Sequence, residues 1–380
     1  MSSAVAMPSR TLDPVLSLLV AALAGIGLVA IASASVEYGD WHFGNPWHHT
    51  LRHSFYLTIA VVLSAVAYRV PLSLWQQSSP SWLLVAMALL ILVLIPGVGR
   101  DVNGSQRWLP LGPLTVQPSE IVKFALALYT AGFLVRHEGD VRQNWQGLAK
   151  PVAVLCVIGL LLLAEPDFGA TVIAVGTVLG MLFLAGARLS YVLAMLAAAI
   201  GMLALLIFAA PYRLQRLTAY TDPWSDPFGS GFQLIQSLIA YGRGDLWGVG
   251  LGNSIQKLFY LPEAHTDFVF SIWAEETGLF GALLVMVLYA ILIARILQVG
   301  LQALRREEPF SAYFCYGVAL IFSGQVFVNM GVSSGLLPTK GLTLPLISYG
   351  GSSLIVSSVM LAIVLRVAAA NRQVASGASA

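Results

Sequence analysis

Glu263, His265 and Asp267 lie close together at the end of a long polar segment, immediately before an apolar run that carries Glu275 and Glu276. Charged residues make up only 10% of the 380-residue chain, so titratable groups gathered at a boundary between polar and apolar sequence require a reason. A carboxylate in that position reaches a polar substrate while its surroundings stay dry. That is the setting in which burial and neighbouring charges tune a general base. If Thr266 caps the following helix, Asp267 falls in its first turn, where complementing the helix dipole is the plain alternative. Glu275 then lies about 12 Å further along and rotated by about 80°, so one cavity could see both carboxylates.

Three other stretches carry polar chemistry. Gly99 to Pro110 contains Arg100, Asp101 and Arg107 and leads to Gln117-Pro118-Ser119-Glu120. Pro118 suits the first position of a helix that Gln117 or Ser119 can cap. Glu120 and Lys123 then face one another, either as a self-satisfied ion pair or as the lining of a polar cavity. The cost of ionisable groups inside a bilayer favours the cavity. The glycine run from Gly242 to Ser254 has no Gly-Lys-Ser/Thr and is not a phosphate-binding loop; it reads as a flexible loop that folds over an extended substrate. Lys340 is the only charged residue between Glu308 and Arg366. It either snorkels or stabilises an anionic leaving group. His48 and His49, which lie near His42, could hold a metal, but with Trp41, Trp47 and His53 in the same stretch an interfacial aromatic belt is the preferred reading.

The elements that must position these groups are apolar helices. The chain is 58% hydrophobic with a mean hydropathy of +0.81, against roughly 45–50% apolar residues in soluble domains. It is therefore an integral membrane protein, and a net charge of +2 offers no basic surface for nucleic acid. Cys156 and Cys315 stand apart in separate apolar runs and read as core thiols. A bilayer core of about 30 Å needs about 20 apolar residues per helix. Candidate spans lie near 14–34, 53–70, 82–96, 118–136, 150–164, 169–186, 190–210, 268–298, 311–331 and 345–368, the first doubling as an uncleaved signal. Glu165-Pro166-Asp167 makes a tight turn between the fifth and sixth. With the N-terminus inside, Lys and Arg of the short loops concentrate on the inner side, which puts both termini in the cytoplasm. The expected organisation is one polytopic membrane domain over 1–380, with a long extracytoplasmic loop at about 211–267.

Gly250 to Lys257, Tyr260 to Phe268, Gln117 to Glu120 and Leu344 to Ser352 resemble the SEDS family of bacterial cell-wall polymerases, in order and across nearly the whole chain. Glu263-Ala264-His265-Thr266-Asp267 and Pro338 to Thr343 look more like its division branch, FtsW, than its elongation branch, RodA. Ser105-Gln106 departs from the Ala-Arg that commonly precedes Arg107-Trp108 in the family. The resemblance implies an all-α bundle of about ten transmembrane helices. It implies a glycosyltransferase of the inner membrane that polymerises lipid II into glycan strands during septal cell-wall synthesis. The family's essential aspartate falls on Asp267, which would activate the acceptor sugar hydroxyl as undecaprenyl pyrophosphate departs. Glu120 and Lys123 match cavity positions, and Arg107, Lys257, Glu263, His265, Lys340 and Ser348 complete the candidate substrate-contacting set. A divalent cation, Mg or Mn, is the one cofactor the pyrophosphate suggests. Implied partners are a class B penicillin-binding protein of the FtsI type and the divisome proteins FtsQ, FtsL and FtsB. The rivals are a lipid II flippase, which would use the same cavity but needs no base at the outer mouth, and a scaffold that only recruits the division transpeptidase.

Overall fold

The computed structural model describes residues 12–102, 105–112, 114–208, 220–338 and 341–377. In chain order the helices are α1 (Pro14–Ala34), α2 (Val36–Phe43), α3 (His48–Arg69), α4 (Leu72–Leu94), α5 (Pro118–Arg136), α6 (Glu138–Gln143), α7 (Gln146–Ala164), α8 (Phe168–Leu184) and α9 (Leu189–Phe208). Beyond residue 220 come α10 (Phe232–Gly244), α11 (Val269–Leu304), α12 (Pro309–Ser333) and α13 (Gly351–Gly377). Among the described residues eight helices are long and apolar enough to cross a membrane, and α8 and α9 are shorter apolar helices. Together they match the ten expected spans, and the protein is a multi-pass membrane bundle.

The boundaries differ where polar sequence is helical. Expected from residue 82, α4 begins at Leu72 and runs through Pro80. Proline leaves the carbonyl four residues earlier without its helical donor. Here the Ser79 hydroxyl donates to that carbonyl, Gln76 O, at 2.8 Å, so the turn survives. The segment expected to be a loop before Pro118 is an antiparallel sheet: β1 (Arg100–Val102), β2 (Ser105–Leu111) and β3 (Leu114–Val116), ordered β1-β2-β3. Leu109 pairs with Val116, and Leu111 with Leu114.

At the centre of the bundle, α5 is buried along nearly its whole length, and α12 packs against α5, α8 and α11. The peripheral helices turn Leu18, Val62, Leu84, Leu160 and Leu205 outward. Lipid replaces water as the solvent of that surface, so the polar groups collect inside. Cys315 is buried as expected, but Cys156 lies on the exposed face of α7.

Two long-range ties fix the arrangement. Asp13, just before α1, accepts from Arg372 near the end of α13 at 2.9 Å and from Arg295 on α11 at 2.6 Å, so the two ends of the helical bundle meet at one side. The second tie is a break in α11 at Gly278 (φ 68, ψ −167), a conformation open essentially to glycine. The glycine run inserts there. Val249 and Gly250 N–H donate to the Glu275 and Glu276 carbonyls at 3.0 Å, and Leu279 N–H donates to Asp245 O at 2.9 Å. A Cβ on Gly248 or Gly278 would run into the backbone of the other segment. The run expected to be a flexible flap is thus docked against the helix by mutual backbone bonds.

Candidate active site

Asp267 sits in a tight turn rather than in the helix. α11 begins at Val269 with Phe268 at its N-cap position and no side-chain capping bond, so Thr266 is not the cap and Asp267 precedes the first turn. The Thr266 hydroxyl instead donates to Glu263 Oε2 at 2.7 Å, and the Thr266 and Phe268 N–H groups donate to Glu263 O at 3.1 and 3.3 Å. Glu263 takes φ 57, the left-handed region uncommon for a residue with a Cβ. These bonds hold it there and fold the chain so that Asp267 faces the bundle.

The charges around Asp267 come from Glu263 in its own turn and from Arg107 and Asp167, distant in sequence. Burial pushes its carboxyl up to about 7; Glu263 and Asp167 add to the rise, and Arg107 opposes it. Arg107, on β2, is held by two carbonyls of the α7–α8 turn: Nε donates to Glu165 O at 3.0 Å and Nη2 to Pro166 O at 2.5 Å. In the same turn the Asp167 side chain accepts from Ala170 N–H at 3.0 Å and caps α8. Glu165 is buried, and neither carboxyl oxygen meets a protein partner among the described residues. Burial pushes its carboxyl up to about 8, Asp167 adds to the rise and Arg107 opposes it. At neutral pH Glu165 therefore keeps its proton and is a donor, while Asp267 is divided between base and acid. Sequence reasoning read Glu165-Pro166-Asp167 only as a turn; its signal was two acids flanking a proline between apolar runs.

Neighbouring elements lock the turn. Asn329 on α12 donates through Nδ2 to Asp267 O at 2.9 Å and to Leu342 O at 2.6 Å. The backbone of Gly341 lies against the carboxylate, since a Cβ there would stand 2.9 Å from Asp267 Oδ2. Tyr349 N–H donates to His265 O at 3.0 Å. The His265 ring packs among Tyr38, His49 and Tyr349, with centroids 4.8–5.7 Å away, and burial lowers its pKa to about 4. It is a neutral packing group at physiological pH. His42 stacks on Tyr38 and His48 on Phe43, the arrangement of an aromatic belt.

The remaining candidates divide. Glu120 and Lys123 form a buried ion pair at 2.8 Å on α5, and Glu120 Oε2 has no partner among the described residues. The adjoining Gln117 N–H donates to Ser352 at 2.9 Å. Lys257 is engaged internally, donating to Glu276 Oε1 and Ser33 Oγ at 3.0 Å and to Gly252 O at 2.7 Å. Glu275 accepts from Arg243, from the Ser254 hydroxyl and from Ile255 N–H. Both glutamates thereby fasten the loop before Asp267. Ser348 accepts from Leu344 N–H at 2.8 Å and closes its own turn. Lys340 lies outside the described residues. A separate cavity of about 610 Å³ opens between α10, α11 and α12 and has an apolar lining; Asp267 is not among its walls. No three His, Cys, Asp or Glu side chains converge as a metal-ligand set among the described residues.

A multi-helix membrane bundle with a carboxylate of raised pKa in a polar turn defines a membrane-embedded class of protein. Comparison with known proteins narrows it. Residues 14–373 match the FtsW/RodA/SpoVE family model, described as cell cycle protein, and the chain belongs to that family. A protein of Hahella chejuensis named "Probable peptidoglycan glycosyltransferase FtsW" is 54% identical over 346 residues, covering 91% of this chain and 87% of its own. One of the same name from Coxiella burnetii is 49% identical, covering 91% and 93%. Among solved structures, a chain from work described as "Structural coordination of polymerization and crosslinking by a peptidoglycan synthase complex" superposes with TM-score 0.78 at 32% identity, over 96% of this chain and 99% of that one. The rod shape determining protein RodA of Thermus thermophilus gives TM-score 0.70 at 29% identity, over 95% and 97%.

Proposed function

We propose that the protein is a peptidoglycan glycosyltransferase of the FtsW type, which polymerises lipid II into glycan strands at the outer face of the cytoplasmic membrane during septal wall synthesis. The observation that carries the reading is the Asp267 carboxyl, lifted to about 7 in a polar turn that precedes a spanning helix. A base works best when its pKa lies near the working pH. In the proposed step, Asp267 takes the proton of the acceptor sugar hydroxyl. The hydroxyl oxygen bonds to the anomeric carbon of the donor, whose bond to the pyrophosphate oxygen breaks with inversion, and the electron pair leaves on undecaprenyl pyrophosphate.

Arg107 is the described cation nearest in effect to this carboxyl, and Lys340 is the further candidate for meeting the leaving charge. A divalent cation enters only as a companion of the pyrophosphate. The described residues assemble no ligand set for it, and no step depends on it. Because glycan strands must be crosslinked, the enzyme acts with a class B penicillin-binding protein. The structural neighbour described as a synthase complex that coordinates both activities supports this. FtsQ, FtsL and FtsB complete the proposed septal assembly.

The deciding experiment supplies purified protein and its partner with lipid II and measures strand formation. Asp267→Ala is expected to lose roughly 10²–10⁴-fold in rate while remaining folded. Wild-type polymerisation by that variant would sink the assignment, and lipid scrambling without polymerisation by the wild type would favour the flippase.

A further inference from the structure

At the inner end of the bundle, opposite the Asp267 turn, a hollow of about 370 Å³ is lined by Arg295, Gln302, Arg305, Arg306, Asn371 and Arg372. Four guanidinium groups from two regions of the chain, the end of α11 with the turn after it and the end of α13, thus surround one space. Cations near helix C-termini and on the inner side of a membrane protein are expected in general. Neither rule gathers four of them around a single concavity.

The charge there is undercompensated. Among the described residues Asp13 is the acid seen to pair into the group, accepting from Arg295 at 2.6 Å and Arg372 at 2.9 Å. Arg306 donates to Ala370 O at 2.8 Å and Asn371 Oδ1 at 3.4 Å, neutral oxygens that satisfy its hydrogen bonds without cancelling its charge. Arg295 Nε is buried without a partner among the described residues. Glu307 and Glu308, in the turn after α11, are exposed and do not line the hollow. Residues 1–11 and 373–380 contain no acidic side chain. Four positive charges therefore face a space that, among the described residues, has one carboxylate at its edge.

The geometry points to a binding site for the phosphodiester head group of an anionic membrane phospholipid, seated between the inner ends of α11 and α13. Guanidinium groups pair with phosphate oxygens through parallel N–H donors, and the surplus positive charge of the hollow repels the quaternary ammonium that a zwitterionic head group adds to the same phosphodiester. The lipid source follows from position: α11 and α13 are spanning helices, so the hollow opens at the depth of the inner head groups, where basic clusters draw anionic lipid. The bound lipid would staple α11, whose far end leads to Asp267, to the end of the chain. This site is independent of the proposed glycosyl transfer.

The test uses the full-length protein, delipidated in detergent. Native mass spectrometry and thermal unfolding are followed on adding phosphatidylglycerol, phosphatidylcholine of the same chains, or inorganic phosphate alone. Phosphatidylglycerol is expected to stay bound and raise the unfolding temperature, whereas phosphatidylcholine and phosphate do neither. Arg305→Gln/Arg306→Gln should weaken retention roughly tenfold or more, and Arg188→Gln, a cation elsewhere at the inner side, should leave it unchanged. Asp13→Asn releases Arg295 and Arg372 and should tighten it. Equal binding of phosphatidylcholine overturns the proposal, as does retention untouched by the double substitution. Stabilisation by phosphate to the same extent overturns the lipid assignment. The wild-type comparison decides between lipids even if the double variant fails to fold.

Discussion

The ionisation of Asp267 is set by three charged neighbours of opposite effect, and each makes the proposed base testable in a direction. Burial lifts its carboxyl to about 7, Glu263 and Asp167 lift it further and Arg107 draws it down. A base works only when unprotonated, so kcat/KM should fall below pH 7, by about tenfold per pH unit on the acid limb. Glu263→Gln removes a negative charge and should move that limb to lower pH; Arg107→Gln removes a positive one and should move it higher. A pH–rate profile of both variants checks the two signs together, and a profile that shifts in the same direction for both would count against Asp267. Gly341 gives a second check at this scale. A methyl group there would stand 2.9 Å from Asp267 Oδ2 and displace the carboxylate without touching the bundle. Gly341→Ala is expected to lose roughly 10²-fold in rate, the cost of a misplacement of about 1 Å, with the unfolding temperature unchanged.

Among the elements, the broken helix α11 and the loop fastened to it decide where Asp267 points. Lys257 and Glu276 form a buried pair at 3.0 Å within that fastening, so Lys257 reads as a positioning residue rather than one that touches substrate. Glu276→Ala leaves a buried ammonium unpaired and should destabilise the protein by about 3–5 kcal/mol. Lys257→Met combined with Glu276→Leu should recover most of that in the same denaturation experiment, and also recover activity. A double variant that folds but stays inactive would return Lys257 to the substrate. These elements were unevenly legible in the sequence. Apolar runs marked the ten spanning helices because lipid exposure demands long uninterrupted apolar stretches. The β1–β2 hairpin flanks Asn103-Gly104, a strong turn signal, but its strands are too short for an alternating pattern to stand out. The glycine run was misread because its partner, the break at Gly278, lies beyond the turn and has no local mark. At the site, Asp267 and Glu263 were legible as acids beside an apolar run. Arg107, Glu165, Asp167 and Asn329 reach it through tertiary folding, which no local spacing encodes.

For the whole molecule, chemistry at Asp267 requires that turn to face the compartment where the glycan is built; one feature sets the sidedness, and two more put both ends of the bundle on one side. Lys and Arg in short loops favour the end with the chain termini. Ten spanning helices return the chain to the side on which it started, and the Asp13–Arg372 ion pair joins the two ends there. Single cysteines in a background carrying Cys156→Ser and Cys315→Ala test this directly. Phe228, 92% exposed in the segment that leads to Asp267, should react as Phe228→Cys with a membrane-impermeant maleimide in intact spheroplasts. Arg188→Cys, in the exposed turn between α8 and α9, should react only after permeabilisation. The reverse pattern would place Asp267 in the cytoplasm, away from the growing wall. It would also turn the arginine hollow outward, so a single labelling experiment bears on the site at each end of the bundle.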